Sequence, residues 1–261
     1  MHIIMHMKIA VIPLSAKPFH LGHYKLIERA ASENDITLVF VSFSSRGVKK
    51  VTRGGKKFEV PIEGDTPVFG SDMAEIWNSL LIPNLKFMGN VKILTPETGA
   101  KPAPVSNVFD VLDALKIPHR AGEKSFTVPF TNVTAGVEDT TINIYSDDTD
   151  INDNYPQAKM LEHFGDLWSN GKLGITPAIR GVGVARTSTV DISGTKMRAL
   201  LCNSEDPASR NEFMSMLPPV DDDIKIQIFQ ILADSVSSMC PLSTRRNKTE
   251  GILRQCVRLF L

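Results

Sequence analysis

Residues 8–43 read KIAVIPLSAKPFHLGHYKLIERAASENDITLVFVSF, and they carry the clearest indication of the fold class in the chain. Its two ends, KIAVIPL and ITLVFVSF, are almost continuous apolar runs rich in β-branched residues, the pattern of strands buried on both faces of a parallel sheet. Between them, apolar residues such as Ile27 and Ala30 recur at helical spacing. A strand, a helix and a second strand within about 35 residues predict a right-handed βαβ unit.

Strand and helix signals continue to alternate along the chain. After the first unit they fall at 91–95 (strand), 105–116 (helix), 141–150 (strand into an acidic turn), 157–164 (helix), 178–185 (strand) and from Ser193 (helix). This order predicts an α/β fold with a Rossmann-like, doubly wound parallel sheet. We expect the α/β domain to cover residues 7–203 and a small helical C-terminal appendage to cover residues 204–261.

Composition limits the classes of partner. The chain has 29 basic and 29 acidic residues, so its formal net charge is zero, and 42% of its residues are hydrophobic. A neutral chain does not coat nucleic acid or a membrane surface through its overall field. No window approaches the roughly 20 apolar residues of a membrane span. Three widely spaced cysteines show neither a zinc pattern nor a disulfide framework, so we expect a cytoplasmic protein.

A basic segment, residues 46–70, follows the second strand. It is rich in Gly and Pro and poorly periodic, so it is predicted to be an inserted loop or hairpin. Arg46, Lys49 and Lys50 are candidate substrate contacts in it, as part of a lid that closes over polyphosphate. The alternative is a solvated loop. A nucleic-acid partner is not expected, because Phe58 is the one aromatic residue among these cations.

The first candidate site is the turn between the first strand and its helix. His20 and His23 lie there, where ring N–H groups and the backbone donors of a helix start suit an anionic phosphate. Gly22 lets the backbone approach such a ligand closely. Lys17 precedes the motif, and its side chain points either toward the same phosphate or into solvent.

The second candidate site is ISGTKMRALL, residues 192–201. Ser193, Gly194 and Thr195 open a helix whose hydroxyl and N–H groups can accept a phosphate, and Lys196 and Arg198 add positive charge. A simple helix cap is the alternative for the hydroxyl groups.

Together these motifs resemble the HxGH-type nucleotidylyltransferases, a superfamily that includes nicotinamide-nucleotide adenylyltransferases and cytidylyltransferases. Residues 20–23 match the HxGH motif and residues 192–198 match the late ISSTxxR-like motif. The stretches KPFHLGHY, GSDMAEIW, YSDDTD, SGTKMR and FMSMLP are, more narrowly, similar to nucleotidyltransferase-like proteins of tailed phages, which would place the chain in the host cytoplasm.

The resemblance implies transfer of a nucleotidyl group from a nucleoside triphosphate to a phosphorylated small molecule, with release of pyrophosphate. It implies Mg²⁺ held mainly by the phosphates, with no protein residue assigned as a metal ligand, and a homo-oligomer as one expected assembly. The implied catalytic residues are His20, His23, Lys17 and Arg198. The implied nucleotide-binding residues are Pro18, Phe19, Gly22, Ser193, Gly194, Thr195 and Lys196.

Two departures leave the acceptor open. Relatives that use nicotinamide mononucleotide often have Gly-Arg-Phe-x-Pro before HxGH, where this chain has Leu-Ser-Ala-Lys-Pro with Ser15 as a candidate substrate contact. Asp147 ends the fourth strand at the place of a Gly-x-Asp turn in adenylyltransferases, although Tyr145 replaces the glycine. We expect Asp147 to contact substrate or metal, and Asp148 and Asp150 to form the turn.

Two alternatives to an ATP-dependent adenylyltransferase stay open, and a third is rejected. ATP is favoured over CTP because SGTKMR is more similar to the adenylyl branch, but a cytidylyltransferase remains an alternative. A non-catalytic module that binds nucleotide or nucleic acid is a second alternative. A class I aminoacyl-tRNA synthetase would need a KMSKS-type loop, and none is evident in the sequence.

Overall fold

The computed structural model describes residues 6–169, 177–185 and 192–236. In chain order, the strands of these residues are β1 (Met7–Leu14), β2 (Ile36–Val41), β3 (Val48–Arg53), β4 (Lys56–Pro61), β5 (Val91–Leu94), β6 (Ser125–Thr127), β7 (Thr134–Gly136), β8 (Thr140–Asp147) and β9 (Ala178–Val184). The helices are α1 (Leu21–Glu33), α2 (Gly70–Glu75), α3 (Ile82–Asn84), α4 (Pro104–Ala121), α5 (Asp148–Asn154), α6 (Gln157–Phe164), α7 (Gly194–Leu201), α8 (Pro207–Ser215) and α9 (Asp222–Val236).

A five-stranded, all-parallel sheet forms the centre of the fold. Its strand order is β5-β2-β1-β8-β9, and β1 pairs in parallel with both β2 and β8. Helices flank this sheet, so the predicted α/β, Rossmann-like class is confirmed. The strand order reverses direction between β1 and β8, and in such sheets ligands bind beyond the carboxyl ends of the strands at this point.

Burial on both faces explains the unbroken apolar strands. Ile9 and Val11 of β1 belong to a buried cluster that includes Val108 and Leu112 of α4. Ala10 and Ile12 of β1 point to the other face and are buried as well, and α1 also contacts β1. The strands therefore have no solvent-facing side on which polar residues would alternate.

The chain divides into two compact units. The first contains the residues up to Ala16, Leu21–Phe43 and Lys86–Asp191, and therefore the whole central sheet. The second contains Lys17–His20, Ser44–Leu85 and the residues from Ile192. This division follows spatial contacts rather than chain order. The expected boundary at residue 203 stays a prediction, and residues 237–261 of the expected appendage lie outside the described residues.

The second unit combines a hairpin with several helices. Strands β3 and β4 pair antiparallel within the segment 46–70, so the hairpin form of that prediction is the one observed. Residues Ile76–Leu81 form a π-helical turn between α2 and α3. This turn, α7 and α8 each contact α9, and the ring centroids of Phe213 and Phe229 lie 5.4 Å apart.

None of the helices in the described ranges combines the length and the apolar run that a membrane span needs.

Candidate functional site

The carboxyl ends of β1 and β8 carry two of the predicted substrate contacts. Ser15 directly follows β1 and is exposed, and Asp147 is the last residue of β8. Because β1 and β8 pair in parallel, both residues lie at the same edge of the sheet. This is the edge at which Rossmann-like folds bind their ligands.

The acidic segment after β8 is a helix, and the prediction of a turn was wrong. The Asp147 side chain caps α5 by accepting a hydrogen bond from the Asp150 backbone N–H at 2.9 Å. Asp148 and Asp150 lie in the first turn of this helix, where negative charge is favourable. Asp147 therefore has a structural function, and its contact with substrate or metal stays a prediction.

The HxGH residues lie at the start of α1. His20 precedes the helix and is buried, whereas Gly22 and His23 are its second and third residues and are half-buried. His20 belongs to the second unit, and Gly22 and His23 belong to the first. The first turn of a helix has backbone N–H groups without an intrahelical acceptor, as the phosphate-binding prediction requires.

Two motifs far apart in sequence meet in the second unit. The Arg198 side chain donates a hydrogen bond from Nη1 to the backbone carbonyl of Lys17 at 2.9 Å, across 181 positions of sequence. A Cβ atom added at Gly194 would lie only 2.9 Å from the same carbonyl oxygen. Glycine is therefore required at position 194 for this close approach. The motifs KPFHLGHY and SGTKMR therefore meet at Lys17, Gly194 and Arg198.

The hydroxyl groups at the start of α7 have partners within the protein. Ser193 is the N-cap and accepts a hydrogen bond from the Lys196 backbone N–H at 3.1 Å, as the capping alternative predicted. Arg198 donates from Nη2 to Thr195 Oγ1 at 3.1 Å. The Lys196 ammonium pairs with Glu212 of α8 at 2.8 Å. Phosphate binding by these residues stays a prediction.

Lys17, Arg46 and Arg198 form what we call the cationic cluster. Burial lowers the pKa of Lys17, and the positive charges of Arg46 and Arg198 lower it further. Burial also lowers the pKa of Arg198, with a further lowering by Arg46 that Asp65 partly opposes. Like charges disfavour one another's charged form when they lie close together. Arg46 therefore lies close enough to Lys17 and to Arg198 for its charge to act on both.

Lys17 is held by the protein rather than extended into solvent. Its ammonium group donates to Ser44 Oγ, and its side chain is half-buried. The peptide bond between Lys17 and Pro18 is cis. Sequence reasoning identified Lys17, Arg46 and Arg198 but missed Ser44 and Asp65. Neither belongs to a motif, and the position of Ser44 shortly after β2 was the one signal for it.

The remaining predicted residues divide between the interior and the hairpin. Pro18 and Phe19 are buried, and the Phe19 ring packs against Trp77 with 4.7 Å between ring centroids. Lys49 and Lys50 are both exposed on β3. As consecutive strand residues, they point to opposite faces of the hairpin. They therefore cannot act together on one ligand through one face.

Among the described residues, no group of three or more His, Cys, Asp and Glu side chains is arranged to hold a metal ion. In comparisons with known proteins, no family model matches the chain, and no curated protein matches it significantly.

Proposed function

We propose that this chain is a nucleotidyltransferase. It transfers a nucleoside monophosphate group from a nucleoside triphosphate, with ATP favoured, to a phosphorylated small molecule, and releases pyrophosphate. Nicotinamide mononucleotide is the first acceptor to test.

The cationic cluster is the observation that carries the proposal. Besides burial, the charges of Arg46 and Arg198 lower the pKa of Lys17, and the charge of Arg46 lowers the pKa of Arg198, so an anion that neutralises these charges stabilises the cluster. Three positive charges match a polyphosphate better than a single carboxylate. The cluster also adjoins the start of α7, where the helix dipole favours negative charge.

The proposed reaction needs no nucleophile from the enzyme. An oxygen of the acceptor phosphate attacks the α-phosphorus in line, the bond between the α-phosphorus and the α,β-bridging oxygen breaks, and the β- and γ-phosphates leave together as pyrophosphate. Catalysis then consists of positioning the two substrates and stabilising the developing negative charge. Lys17 and Arg198 are proposed to stabilise charge on the leaving pyrophosphate, and His20 and His23 to donate hydrogen bonds to the α- and β-phosphates.

Mg²⁺ fits this site as a complex with the triphosphate. Three cations repel a bare divalent ion, but they accept a nucleotide complex that retains negative charge. When bound, Mg²⁺ would neutralise part of the phosphate charge and keep several water molecules as ligands. We therefore assign no residue of the chain as its ligand.

The test is pyrophosphate release from each of the four nucleoside triphosphates with Mg²⁺ and phosphorylated acceptors. We expect ATP with one acceptor to support turnover. Arg198→Gln should reduce kcat/KM by about 100-fold or more, the usual loss when one charge-stabilising donor is removed. Arg120→Gln is the matched control, because Arg120 is an exposed arginine at the end of α4.

Two other results would redirect or reject the proposal. A preference for CTP would favour the cytidylyltransferase alternative, and tight triphosphate binding without turnover would favour the non-catalytic module. If no triphosphate is turned over, and neither Arg198→Gln nor His23→Ala changes triphosphate binding, the proposal fails.

A further inference from the structure

The hairpin β3–β4 concentrates positive charge in a chain that has none overall. Residues 46–61 contain six basic residues and one acidic residue, whereas the whole chain has a formal net charge of zero. The strands each have six residues, which corresponds to a ribbon of about 20 Å. Gly54 and Gly55 connect them in a two-residue turn with positive φ at both positions.

The base of this ribbon is held by hydrogen bonds within the second unit. The Ile62 backbone N–H donates to the Gly47 carbonyl at 2.9 Å. Arg46 and Val68 exchange two backbone hydrogen bonds of 2.8 and 2.9 Å. The ribbon therefore leaves the unit from a defined base, and the charges on it have defined positions relative to one another.

The two faces of the ribbon differ in charge. One face carries Lys50 and Lys57, but Glu59 lies directly opposite Lys50 and also accepts a hydrogen bond from Ser45 Oγ. The other face carries Lys49, Val51, Lys56, Phe58 and Val60, with no acidic residue among its positions. We call this second face the Phe58 face. On the Phe58 face, no carboxylate of the ribbon neutralises the positive charge of the lysines.

The Phe58 face alternates cations with an exposed aromatic ring. Phe58 is 48% exposed and is paired with Val51. Lys49 lies two residues along the ribbon from the Val51–Phe58 pair in one direction, and Lys56 lies two residues from it in the other. Each lysine is therefore displaced from this pair by about 6.6 Å along the strands. A cation, a ring and a cation therefore succeed one another along the face, and Lys49 and Lys56 are both exposed.

We propose that the Phe58 face binds single-stranded nucleic acid. Such sites combine cations that follow the phosphate backbone with aromatic side chains on which unpaired bases stack. In the sequence, no aromatic residue beyond Phe58 lies close to the basic residues of this segment, and no nucleic-acid partner was predicted. The strand register shows that the Phe58 ring lies between Lys49 and Lys56 on one exposed face of the ribbon. The proposal goes beyond the proposed enzymatic function and does not rest on it.

Single strands fit this face better than the two other polyanionic surfaces. A two-stranded ribbon can enter the major groove of a DNA duplex, but specific contacts there come mainly from hydrogen-bonding side chains, and the centre of this face is a phenyl ring. A membrane surface would need apolar side chains at the end of the ribbon that inserts. That end consists of Gly54, Gly55, Lys56 and Lys57.

The test measures binding of a fluorescent 12-nucleotide oligothymidylate to the full chain by anisotropy at several salt concentrations. We expect the double variant Lys49→Gln/Lys56→Gln to bind at least tenfold more weakly. Its plot of log affinity against log salt should be shallower by about 1.4, because each phosphate contact on a single strand contributes about 0.7 to that slope. The control Lys124→Gln/Lys159→Gln removes two charges from exposed positions outside the ribbon and should bind like the unmodified protein.

Substitutions of Phe58 separate stacking from packing. Phe58→Leu keeps an apolar side chain opposite Val51 but removes the ring, and it should weaken binding about tenfold, within the range for loss of one stacked base. Phe58→Tyr keeps the ring and should retain binding. Matching far-UV circular dichroism spectra would show that each variant is folded.

Four results would overturn the proposal. In the first, the unmodified protein does not bind the oligonucleotide. In the second and third, it binds a 12-base-pair duplex, or vesicles with anionic lipid, more tightly than the oligonucleotide. In the fourth, the ribbon and control double variants lose the same amount of affinity. Equal binding by the Leu, Tyr and unmodified proteins would overturn the stacking role of Phe58. Pyrophosphate release is measured separately, so the two proposals can fail independently.

Discussion

Lys17 shows how neighbouring side chains change the chemistry of one residue. As a loop residue before a helix it would have an ordinary pKa, but burial and two arginines lower that pKa in the folded protein. The sequence identified the residue through its place ahead of the HxGH motif. Arg46 lies near Lys17 because of the path that the chain takes after β2. No local sequence pattern predicts that path.

We predict that Lys17 loses its proton at a lower pH than a lysine in an unfolded chain does. A lysine with a lowered folded-state pKa becomes neutral at a lower pH than the usual value near 10.5. Affinity for tripolyphosphate should therefore fall as pH rises through this lowered pKa, and bound tripolyphosphate should raise the pKa again. Carbon-13 NMR of lysine side chains measures both effects, with Lys17→Met assigning the resonance.

The same shift predicts a direction for stability. Between the lowered pKa and 10.5 the unfolded chain binds more protons at this position than the folded chain, so the free energy of unfolding rises with pH in this window. Lys17→Met should remove that part of the pH dependence. A Lys17 resonance that titrates together with the other lysines would contradict both predictions.

At the scale of elements, the sequence predicted the regular helices and strands well. The prediction of a helix over Gln157–Phe164 is confirmed, and the strand at 178–185 is confirmed within one residue. The segment after β8 was predicted wrongly as a turn. Asp is common in turns, but here Asp147 caps a helix that packs against β9, and this tertiary contact selects helix over turn.

The turn of the hairpin gives a prediction at this scale. Gly55 has φ of 75°, a left-handed conformation that a β-branched residue adopts only at a cost of about 1–2 kcal/mol. Gly55→Val should therefore open the hairpin, because isolated two-stranded hairpins are marginally stable. Amide hydrogen exchange within residues 48–61 should accelerate by about 5- to 30-fold, in line with that cost.

Gly55→Asn is the matched control, since asparagine tolerates the left-handed conformation. It should leave hydrogen exchange in the hairpin nearly unchanged. Equal exchange rates in the Val and Asn variants would show that the conformation at position 55 does not limit the stability of the hairpin.

At the scale of the whole molecule, ligand binding should stabilise the protein if the cationic cluster binds a polyphosphate. A ligand at 100 times its Kd adds about 2.7 kcal/mol to the free energy of unfolding, which for a chain of this size corresponds to roughly 5–10 °C in Tm. We expect tripolyphosphate to produce this shift in a thermal unfolding experiment, with sodium chloride of equal ionic strength as the reference. Arg198→Gln should reduce the shift, and an unchanged Tm in the unmodified protein would contradict anion binding at the cluster.

The α/β class, the two motifs and the approximate positions of the central strands follow from the sequence alone. These features depend on whether each residue faces water or the interior, and that preference is written into local periodicity. Four features follow from the folded chain and not from any local pattern: the strand order, the contact between Arg198 and Lys17, the position of Arg46 beside them, and the face of the hairpin on which Phe58 lies. Each of these depends on pairing between distant segments. The free energy of such a pairing depends on the side chains of both segments, so it cannot be inferred from the sequence of either segment alone.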